Sequence, residues 1–479
     1  MRQQILTWKD LRAASFAFDS PFRLSLEDGQ EFVVERVLRI IPKRRMVVLG
    51  AWQGREAVAK LFFDEKHAKR HIEKDVAGIN LLHDNKIPTP HIYAQTLSED
   101  KHTHVLILEH IADSQNLEDV WLGASHPEDI MPVLRSAIVE LATQHVLGVV
   151  QKDLHLKNFL CTEKIIYTLD GAQIELFPQL LPKKQSMQNL ALFLSQFGAG
   201  MEMYQEKLFR FYAKSRGWLL KQEDITDMFF MIKAWNEQRW LRFSKKIFRN
   251  STHFARQRDW QTLGMYNRYY AAPELFEFLQ HPDMAFVHES AVSLKAGRSS
   301  TVVKVTLDGR DLVVKRYNIK NFTHYLRRCL RPTRAYSSWR LAQKLNLFGI
   351  ATAKPVAFIE KRFLNLRGTS YYVTEYVPGQ HASDYFQAQA VGTTMIERIV
   401  QLLKTLAKVS ITHGDLKATN ILINTEDKPV LIDLDGAIEH VSLSSLHHAW
   451  RKEIKRFLQN FYDQPSLLDQ FKTELSREG

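Results

Sequence analysis

The sequence predicts an α+β protein made of two bilobal domains in tandem, each with an antiparallel β small lobe and a mostly helical large lobe. Two observations predict this class. Residues 153–160 read DLHLKNFL and residues 415–422 read DLKATNIL, and each peptide precedes a short apolar strand that leads into Leu-Asp-Gly-Ala. In each half, the segment before this peptide changes from the two-residue period of strands to the 3.6-residue period of helices.

The paired peptides belong to a longer duplication. Five sequence anchors recur in the same order, with offsets between 255 and 265 residues, which is far too long for a solenoid unit and indicates a duplicated domain. The pairs are Lys60 with Lys315, Ile87-Pro88-Thr89-Pro90 with Ile350-Ala351-Thr352-Ala353, Asp153 with Asp415, Asn158 with Asn420, and Gly171 with Gly436. We expect domain 1 at residues 1–284 and domain 2 at residues 285–479, because a turn-forming cluster at 280–283 interrupts the apolar pattern.

The elements of each half follow from residue type and period. Runs rich in β-branched and apolar residues predict strands, and apolar residues three and four apart predict helices. The predicted strands are 31–38, 46–52, 56–63 and 105–109 in the first half and 300–307, 311–317 and 371–375 in the second. The predicted helices are 66–83, 131–145, 333–347 and 394–409, and residues 188–279 are expected to be mostly helical.

Composition places the chain among soluble globular proteins. Of its 479 residues, 45% are apolar and 25% are charged, and two cysteines cannot build a disulfide framework. The sequence shows no apolar run long enough for a signal peptide or a spanning helix. We therefore expect a cytoplasmic protein, either free or held peripherally on the inner face of the cytoplasmic membrane.

The charge of the chain points to an anionic partner. The formal net charge is +12, and residues 312–359 contain ten Lys or Arg but no Asp or Glu. Such a local excess suits a phosphorylated substrate or an anionic membrane surface, although a net charge of this size also serves solubility alone. No nucleic-acid partner is expected, since no recognised nucleic-acid-binding motif accompanies the basic residues.

The second half carries the more complete set of chemical groups. An Asp, an Asn five residues later and an acidic residue after the next strand form the metal and phosphate apparatus of a kinase catalytic loop. Asp415 is the candidate base that orients or deprotonates an acceptor hydroxyl, and Lys417 can neutralise the moving phosphoryl group. Asn420 and Asp433 are the candidate metal ligands, with Asp435 as a further carboxylate.

Three residues of the second half are candidates for binding a nucleotide. Lys315 ends an apolar strand, where its ammonium can hold the α- and β-phosphates. Gly297 and Ser299 lie in the turn 295–300, whose backbone N–H groups can cover phosphates although it contains one glycine. Lys315 has no glutamate on the following helix to pair with, and Ser338 or a neighbour takes that place.

The first half carries a similar but altered set. Lys60 is the candidate phosphate-binding lysine, and Glu73 on the following helix is expected to form its ion pair. Asp153 is the candidate catalytic residue, and Asn158 and Asp170 are the candidate metal ligands. The turn at residues 42–45, where a phosphate-covering loop is expected, contains no glycine.

The position of Asp170 stays open between two alignments. When the halves are aligned on Gly171 and Gly436, Asp170 matches Asp435 and Thr168 matches Asp433. When they are aligned by distance from Asn158, Asp170 can itself be the metal ligand.

These loops resemble the lipopolysaccharide core kinases, which phosphorylate heptose or Kdo sugars. The resemblance rests on Asp153-Leu154-His155 with Asn158-Phe159-Leu160, on Leu169-Asp170-Gly171-Ala172 and Ile432-Asp433-Leu434-Asp435-Gly436 in place of Asp-Phe-Gly, and on Ile87-Pro88-Thr89-Pro90. Neither acidic strand is followed by the Ala-Pro-Glu of protein kinases. The resemblance implies a protein-kinase-like fold in both halves, ATP and Mg²⁺ as cofactors, and a sugar hydroxyl of the lipopolysaccharide inner core as acceptor.

Two other functions remain as alternatives. The chain could be a Ser/Thr protein kinase, or a tandem pseudokinase that acts as a scaffold for core assembly. Each half lacks a different part of the expected apparatus, so the sequence leaves open whether one half or both are active.

Overall fold

Antiparallel β-sheets and many α-helices make up the protein, which is the expected α+β class. The structure is a computed structural model that describes residues 4–16, 18, 20–124, 126–319, 329–363, 366–388 and 393–477. The basic residues Lys320, Arg327 and Arg328 lie outside the described residues. No helix in these ranges combines the length and the apolarity needed to cross a membrane.

The chain divides into two units by its internal contacts. Unit 1 comprises Met1–Phe197 and Glu202–Asn236, and unit 2 comprises Gly198–Met201 and Glu237–Gly479. This division differs from the predicted boundary at 284/285, which lies further along the chain. Unit 2 includes a β-hairpin at residues 254–267, which pairs with residues 357–361 of the same unit although it precedes the turn-forming cluster.

Unit 1 begins with most of its strands and continues with most of its helices. Its strands are β1 (Phe22–Ser25), β2 (Glu31–Ile41), β3 (Arg45–Trp52), β4 (Arg55–Phe62), β5 (Ile92–Leu97), β6 (His104–Glu109), β7 (Gln115–Asn116), β8 (Val149–Gln151), β9 (Phe159–Cys161), β10 (Ile166–Thr168) and β11 (Ile174–Leu176). Its helices are α1 (Trp8–Ala13), α2 (Ala68–Asp84), α3 (Leu117–Gly123), α4 (Met131–Val146), α5 (Lys183–Leu194), α6 (Glu202–Ser215) and the first part of α7 (Gln222–Lys246).

The main sheet of unit 1 has six antiparallel strands in the order β1-β2-β3-β4-β6-β5. Strand β4 alternates in burial because successive side chains point to opposite faces of a sheet. Ala57, Ala59 and Leu61 are fully buried on one face, and Lys60 points to the other. The alternation therefore places the lysine on the face opposite the apolar core of the sheet.

Unit 2 repeats the succession of strands and helices. Its strands are β12 (Phe254–Arg258), β13 (Thr262–Asn267), β14 (Val292–Ala296), β15 (Ser300–Leu307), β16 (Arg310–Tyr317), β17 (Pro355–Phe363), β18 (Leu366–Glu375), β19 (Gly379–His381), β20 (Ile411–Thr412), β21 (Ile421–Asn424), β22 (Pro429–Leu431) and β23 (Ile438–Glu439). Its helices are α8 (Pro273–Gln280), α9 (Arg334–Leu347), α10 (Ala382–Ala388), α11 (Thr393–Lys408), α12 (Leu443–Leu458) and α13 (Pro465–Ser476).

The main sheet of unit 2 has seven strands in the order β12-β13-β17-β18-β16-β15-β14. Residues 188–279 are mostly helical, as predicted, but β12 and β13 within them form a hairpin at one edge of this sheet. Strand β13 pairs with β17, about a hundred residues away in sequence, and this pairing is absent from local sequence patterns. The hairpin is stabilised by that non-local partner.

Helix α11 precedes β20 and the loop that contains Asp415. Its buried apolar residues recur three and four positions apart, so they form one face of the helix. These residues are Met395, Ile396, Ile399, Val400, Leu402, Leu403 and Leu406. Packing of this face fixes the start of β20, and the loop begins directly after that strand.

Candidate active site

The loop after β20 is tied to the strand that precedes the acidic turn. The side chain of Asn420 donates a hydrogen bond from Nδ2 to the main-chain oxygen of Asp415, at 2.8 Å. The main-chain oxygen of Asn420 accepts a hydrogen bond from the nitrogen of Ile432, at 3.0 Å. Asn420 therefore links the residue that carries the Asp415 carboxylate to the residue that precedes Asp433.

The Asp415 carboxylate lies between two cations. Its Oδ1 is 3.2 Å from Nζ of Lys417 and 2.5 Å from a terminal nitrogen of Arg456, and 39% of the side chain stays exposed. Arg456 lies on α12, about forty residues after the loop, and no local sequence pattern relates it to Asp415. The two cations hold the carboxylate in place while leaving it open to solvent.

Lys315 lies between two carboxylates of the acidic turn. Its Nζ is 2.7 Å from Oδ1 of Asp433 and 2.5 Å from Oδ2 of Asp435. The hydroxyl of Ser338 on α9 donates to Oδ1 of Asp435 at 3.5 Å. As expected from the sequence, no helix glutamate among the described residues pairs with Lys315, and the ion pairs of this lysine are made by the acidic turn.

The two carboxylates of this turn differ in acidity. Burial raises the pKa of Asp435 and outweighs the opposing charge of Lys315, while the negative charge of Asp433 raises this pKa further. Burial acts on the pKa of Asp433 in the same direction, but the charge of Lys315 and its hydrogen bond outweigh it and hold this pKa below its usual value. Asp433 is therefore the carboxylate that stays ionised more readily.

The turn before β15 is closed by one asparagine. The nitrogen of Gly297 donates to the oxygen of Ser300 at 3.0 Å. Asn318 donates from its side chain to the oxygen of Gly297 at 3.2 Å and from its backbone to the oxygen of Ser299 at 3.1 Å. Because Asn318 follows Lys315 by three residues, this bonding connects the turn to the strand that carries the lysine.

Two residues position the Asp415 loop. His413 is fully buried, and its Nε2 is 2.9 Å from the main-chain oxygen of Ile432. The buried carboxylate of Glu453 on α12 accepts hydrogen bonds from the backbone nitrogens of His413, at 3.0 Å, and of Gly414. Sequence reasoning missed Glu453, because nothing local relates it to a loop forty residues earlier.

Unit 1 builds its loop with the same backbone bonds. Nδ2 of Asn158 donates to the oxygen of Asp153 at 2.7 Å, and the oxygen of Asn158 accepts from the nitrogen of Leu169 at 2.9 Å. The Asp153 carboxylate lies 3.0 Å from Nε2 of His155. Both loops therefore bring together the Asp and Asn that the duplication predicted.

Hydrogen-bond register also relates the two acidic positions. The hydroxyl of Thr89 donates to the oxygen of Thr168 at 2.7 Å, and that of Thr352 donates to the oxygen of Leu431 at 2.8 Å. Two residues after these acceptors come Asp170 and Asp433. Asp170 therefore occupies the position of Asp433 and not that of Asp435. This agrees with the alignment by distance from Asn158.

The expected ion pair between Lys60 and Glu73 is not formed. Nζ of Lys60 lies 3.3 Å from Oδ1 of Asp75, which is fully buried, whereas Glu73 is exposed. Two residues correspond to about 200° of rotation around an α-helix, so Glu73 and Asp75 point in different directions. Burial raises the pKa of Asp75, and the negative charge of Asp170 raises this pKa further. The positive charge of Lys60 lowers the same pKa but does not outweigh burial.

The donor atoms of unit 2 suit a hard cation. Mg²⁺ takes oxygen ligands and commonly binds through one or two carboxylates together with substrate phosphates. Asp433 supplies a carboxylate, and Asn420, whose amide nitrogen is already bonded to Asp415, supplies an amide oxygen. Over the described ranges, no group of three or more His, Cys, Asp or Glu could hold a metal ion by itself.

Comparison with known proteins assigns a class to part of the chain. Residues 284–465, less than half of the sequence, match the model of the lipopolysaccharide kinase (Kdo/WaaP) family. This match indicates a kinase, that is, a phosphotransferase. The matched segment lies in unit 2 and contains Lys315, Asp415, Asn420 and Asp433. No curated protein matches the chain.

Proposed function

We propose that unit 2 is an ATP-dependent kinase that phosphorylates a heptose or Kdo hydroxyl of the lipopolysaccharide inner core. The observation that carries this proposal is the contact of Lys315 with Asp433 and Asp435, within the segment that matches the family. A kinase needs a lysine for the nucleotide phosphates beside carboxylates for the metal. Both kinds of group meet here across more than a hundred residues of sequence.

Asp415 is assigned the acceptor hydroxyl. In the proposed step the acceptor oxygen forms a bond to the γ-phosphorus of ATP, and the bond to the β–γ bridging oxygen breaks to release ADP. The acceptor proton passes to the Asp415 carboxylate, which Arg456 and Lys417 orient. Lys417 is also placed to compensate the negative charge of the phosphoryl group in transit.

The remaining residues of unit 2 are assigned to the nucleotide. Lys315 would contact the phosphates, and the backbone of Gly297 and Ser299 would cover them. Asn420 and Asp433 would hold Mg²⁺, which supplies positive charge to the phosphate oxygens when bound.

For unit 1 we propose a kinase-like domain with a modified site, so that the protein is a tandem of two such domains. Lys60 with Asp75, and the loop of Asp153, Asn158 and Asp170, support this proposal. We place the protein at the inner face of the cytoplasmic membrane, where its positive charge would favour an anionic surface that contains the acceptor.

The phosphate content of the core in a strain without the gene tests the proposed function. Core from that strain should lack one phosphate, and the wild-type gene should restore it while the Asp415→Ala gene should not. The matched control is Asp469→Ala, which removes an exposed aspartate of α13 and should restore the phosphate. An unchanged core in the deletion strain would contradict the proposal. Phosphate transfer to a protein instead would indicate a protein kinase, and absence of ATP binding would indicate a scaffold.

A further inference from the structure

Unit 1 carries a row of basic side chains on the face of its sheet that contains Lys60. Arg39 on β2 lies opposite Val47 on β3, and Val47 lies opposite Lys60 on β4. Side chains directly opposite one another on neighbouring antiparallel strands lie on the same face of the sheet. Arg39 and Lys60 therefore share one face, with a single valine between them.

Arg45 belongs to the same face. It precedes Val47 by two residues on β3, and residues two apart on a strand point the same way. Arg45 also begins β3 directly after the turn of Pro42, Lys43 and Arg44, in which no residue is a glycine. The place where a glycine-rich loop would expose backbone N–H groups is thus occupied by guanidinium groups.

The acidic residues of the unit 1 site act electrostatically on this row. Burial lowers the pKa of Arg39 and the charge of Arg45 lowers it further, whereas Asp170 and Asp153 act in the opposite direction. The charge of Arg45 also lowers the pKa of Asp75, the partner of Lys60. Within the described part of the chain, neither Arg39 nor Arg45 has a hydrogen-bonding or ion-pairing side-chain partner in this structure, so both guanidinium groups are available to a ligand.

Unit 2 repeats the row at the corresponding positions. Lys295 on β14 lies opposite Val302 on β15, and Val302 lies opposite Lys315 on β16. A register shift precedes the basic residue in both units, between Val37 and Arg39 and between Ser293 and Lys295. The position of Arg45 is taken by Ser300, so unit 1 has one more cation in its row than unit 2.

We propose that Arg39, Arg45 and Lys60 form a binding site in unit 1 for a phosphate-bearing ligand. Planar guanidinium groups bind phosphate oxygens in pairs, so two of them can replace the backbone contacts of a glycine loop. The ligand is either a nucleoside triphosphate or a phosphorylated sugar, which present the same phosphate chemistry. This inference rests on the proposed function only in treating the Lys60 cleft as a phosphate site, and it requires no turnover in either unit.

Calorimetric titration of the full-length protein tests the site with three probes: ATP, inorganic pyrophosphate and glucose 1-phosphate. The variants are Arg39→Ala/Arg45→Ala and, as control, Arg55→Ala, which removes an arginine from the far end of β4. Arg55 is five residues from Lys60, so it lies on the opposite face and roughly 17 Å along the strand. Amide exchange over residues 39–47 reports whether a probe binds at the row.

Wild type and Arg55→Ala should bind at least one probe with slower amide exchange over residues 39–47. The double alanine variant should bind that probe at least tenfold more weakly and lose the slowing. Loss of one of two ATP equivalents would identify a nucleotide site, and loss of glucose 1-phosphate binding with ATP unchanged would identify a sugar-phosphate site. The proposal is overturned if the double variant binds all probes like wild type, or if no probe slows exchange over residues 39–47.

A second variant separates binding from folding. Arg39→Lys/Arg45→Lys keeps both charges but removes the forked donors, so its dissociation constant should rise at least threefold with an unchanged circular dichroism spectrum. Unaltered binding in this variant, together with unfolding of the alanine variant, would also overturn the proposed role of the guanidinium groups. Because binding is measured without an acceptor, a failure of phosphate transfer in unit 2 leaves the outcome unaffected.

Discussion

Each unit holds its cleft lysine with aspartate, but the aspartates come from different places. Lys60 is held by Asp75 from helix α2, whereas Lys315 is held by Asp433 and Asp435 from the turn after β22. A helix residue, Asp75, therefore pairs with the lysine in unit 1, whereas in unit 2 the residues of the acidic turn pair with it. The shorter aspartate side chain requires α2 to approach the sheet closely, and Asp75 is accordingly fully buried.

At this scale the two acidic residues of α2 should respond very differently to substitution. Asp75→Ala leaves the nearly buried Lys60 ammonium without its partner, so we expect a loss of about 3 kcal/mol in the free energy of unfolding. Glu73→Ala removes an exposed carboxylate from the same helix and should change that free energy by less than about 0.5 kcal/mol. Denaturant titration followed by circular dichroism measures both. Equal effects of the two changes would contradict the assignment of Asp75 as the partner.

At the scale of elements, close backbone approaches fix the acidic turns. In unit 1, a Cβ on Gly78 of α2 would overlap the carbonyl oxygen of Gly171. In unit 2, a Cβ on Gly414 would overlap the carbonyl oxygen of Gly436, and Gly414 also has a positive φ of 79°. Each acidic turn is thus pressed against a neighbouring segment, and a glycine permits the contact.

Gly414→Ala should therefore lower the free energy of unfolding by more than the unfavourable backbone conformation alone would. Gly309, in the hairpin between β15 and β16, has a φ of 71° but open space around an added Cβ, so Gly309→Ala measures the conformational cost, about 1 kcal/mol. Gly414→Ala adds overpacking and should lower the free energy of unfolding by about 3 kcal/mol in total, with loss of kinase activity. Equal thermal shifts in the two variants would show that the contact with Gly436 is unimportant.

Local patterns predicted part of the strands and helices of each half, and tertiary contacts explain several elements that were missed. Strand β15 was predicted with its observed bounds, since its apolar alternation is complete within eight residues. The hairpin of β12 and β13 was missed because its partner β17 is distant in sequence. Asp415 and Asn420 were found from their spacing, whereas Glu453 and Arg456 act on this loop from α12 and give no local signal.

At the scale of the whole molecule, unit 1 contains a buried polar network that makes its stability depend on pH. His145 on α4 is 2.7 Å from the hydroxyl of Tyr212 and 3.0 Å from Oδ1 of Asn189. Asn189 in turn donates to the main-chain oxygen of Gln151, which precedes the Asp153 loop. Burial, assisted by the charge of Arg216 and opposed by the bond to Asn189, lowers the pKa of His145 to about 4.

Unit 1 should lose stability as the pH falls below about 6.5. Between the unfolded pKa of histidine and the folded value near 4, the unfolded chain binds a proton that folded His145 does not, so the free energy of unfolding falls with pH. The full effect is about 3 kcal/mol. Chemical denaturation at several pH values measures how the free energy of unfolding depends on pH. This dependence should be flatter in His145→Gln than in wild type. The control His447→Gln, at an exposed histidine of α12, should show the wild-type dependence. An identical slope in all three proteins would contradict this reading of His145.

Phosphate transfer by the purified full-length protein tests the central claim most directly. With γ-labelled ATP and core oligosaccharide from a strain without the gene, wild type should label the oligosaccharide, and Asp469→Ala should label it at the same rate. Asp415→Ala should be slower by about a hundredfold or more while binding ATP as wild type does, because the loss of the base affects transfer and not the nucleotide. Transfer by Asp415→Ala at the wild-type rate, or no labelled oligosaccharide with wild type, would contradict the account.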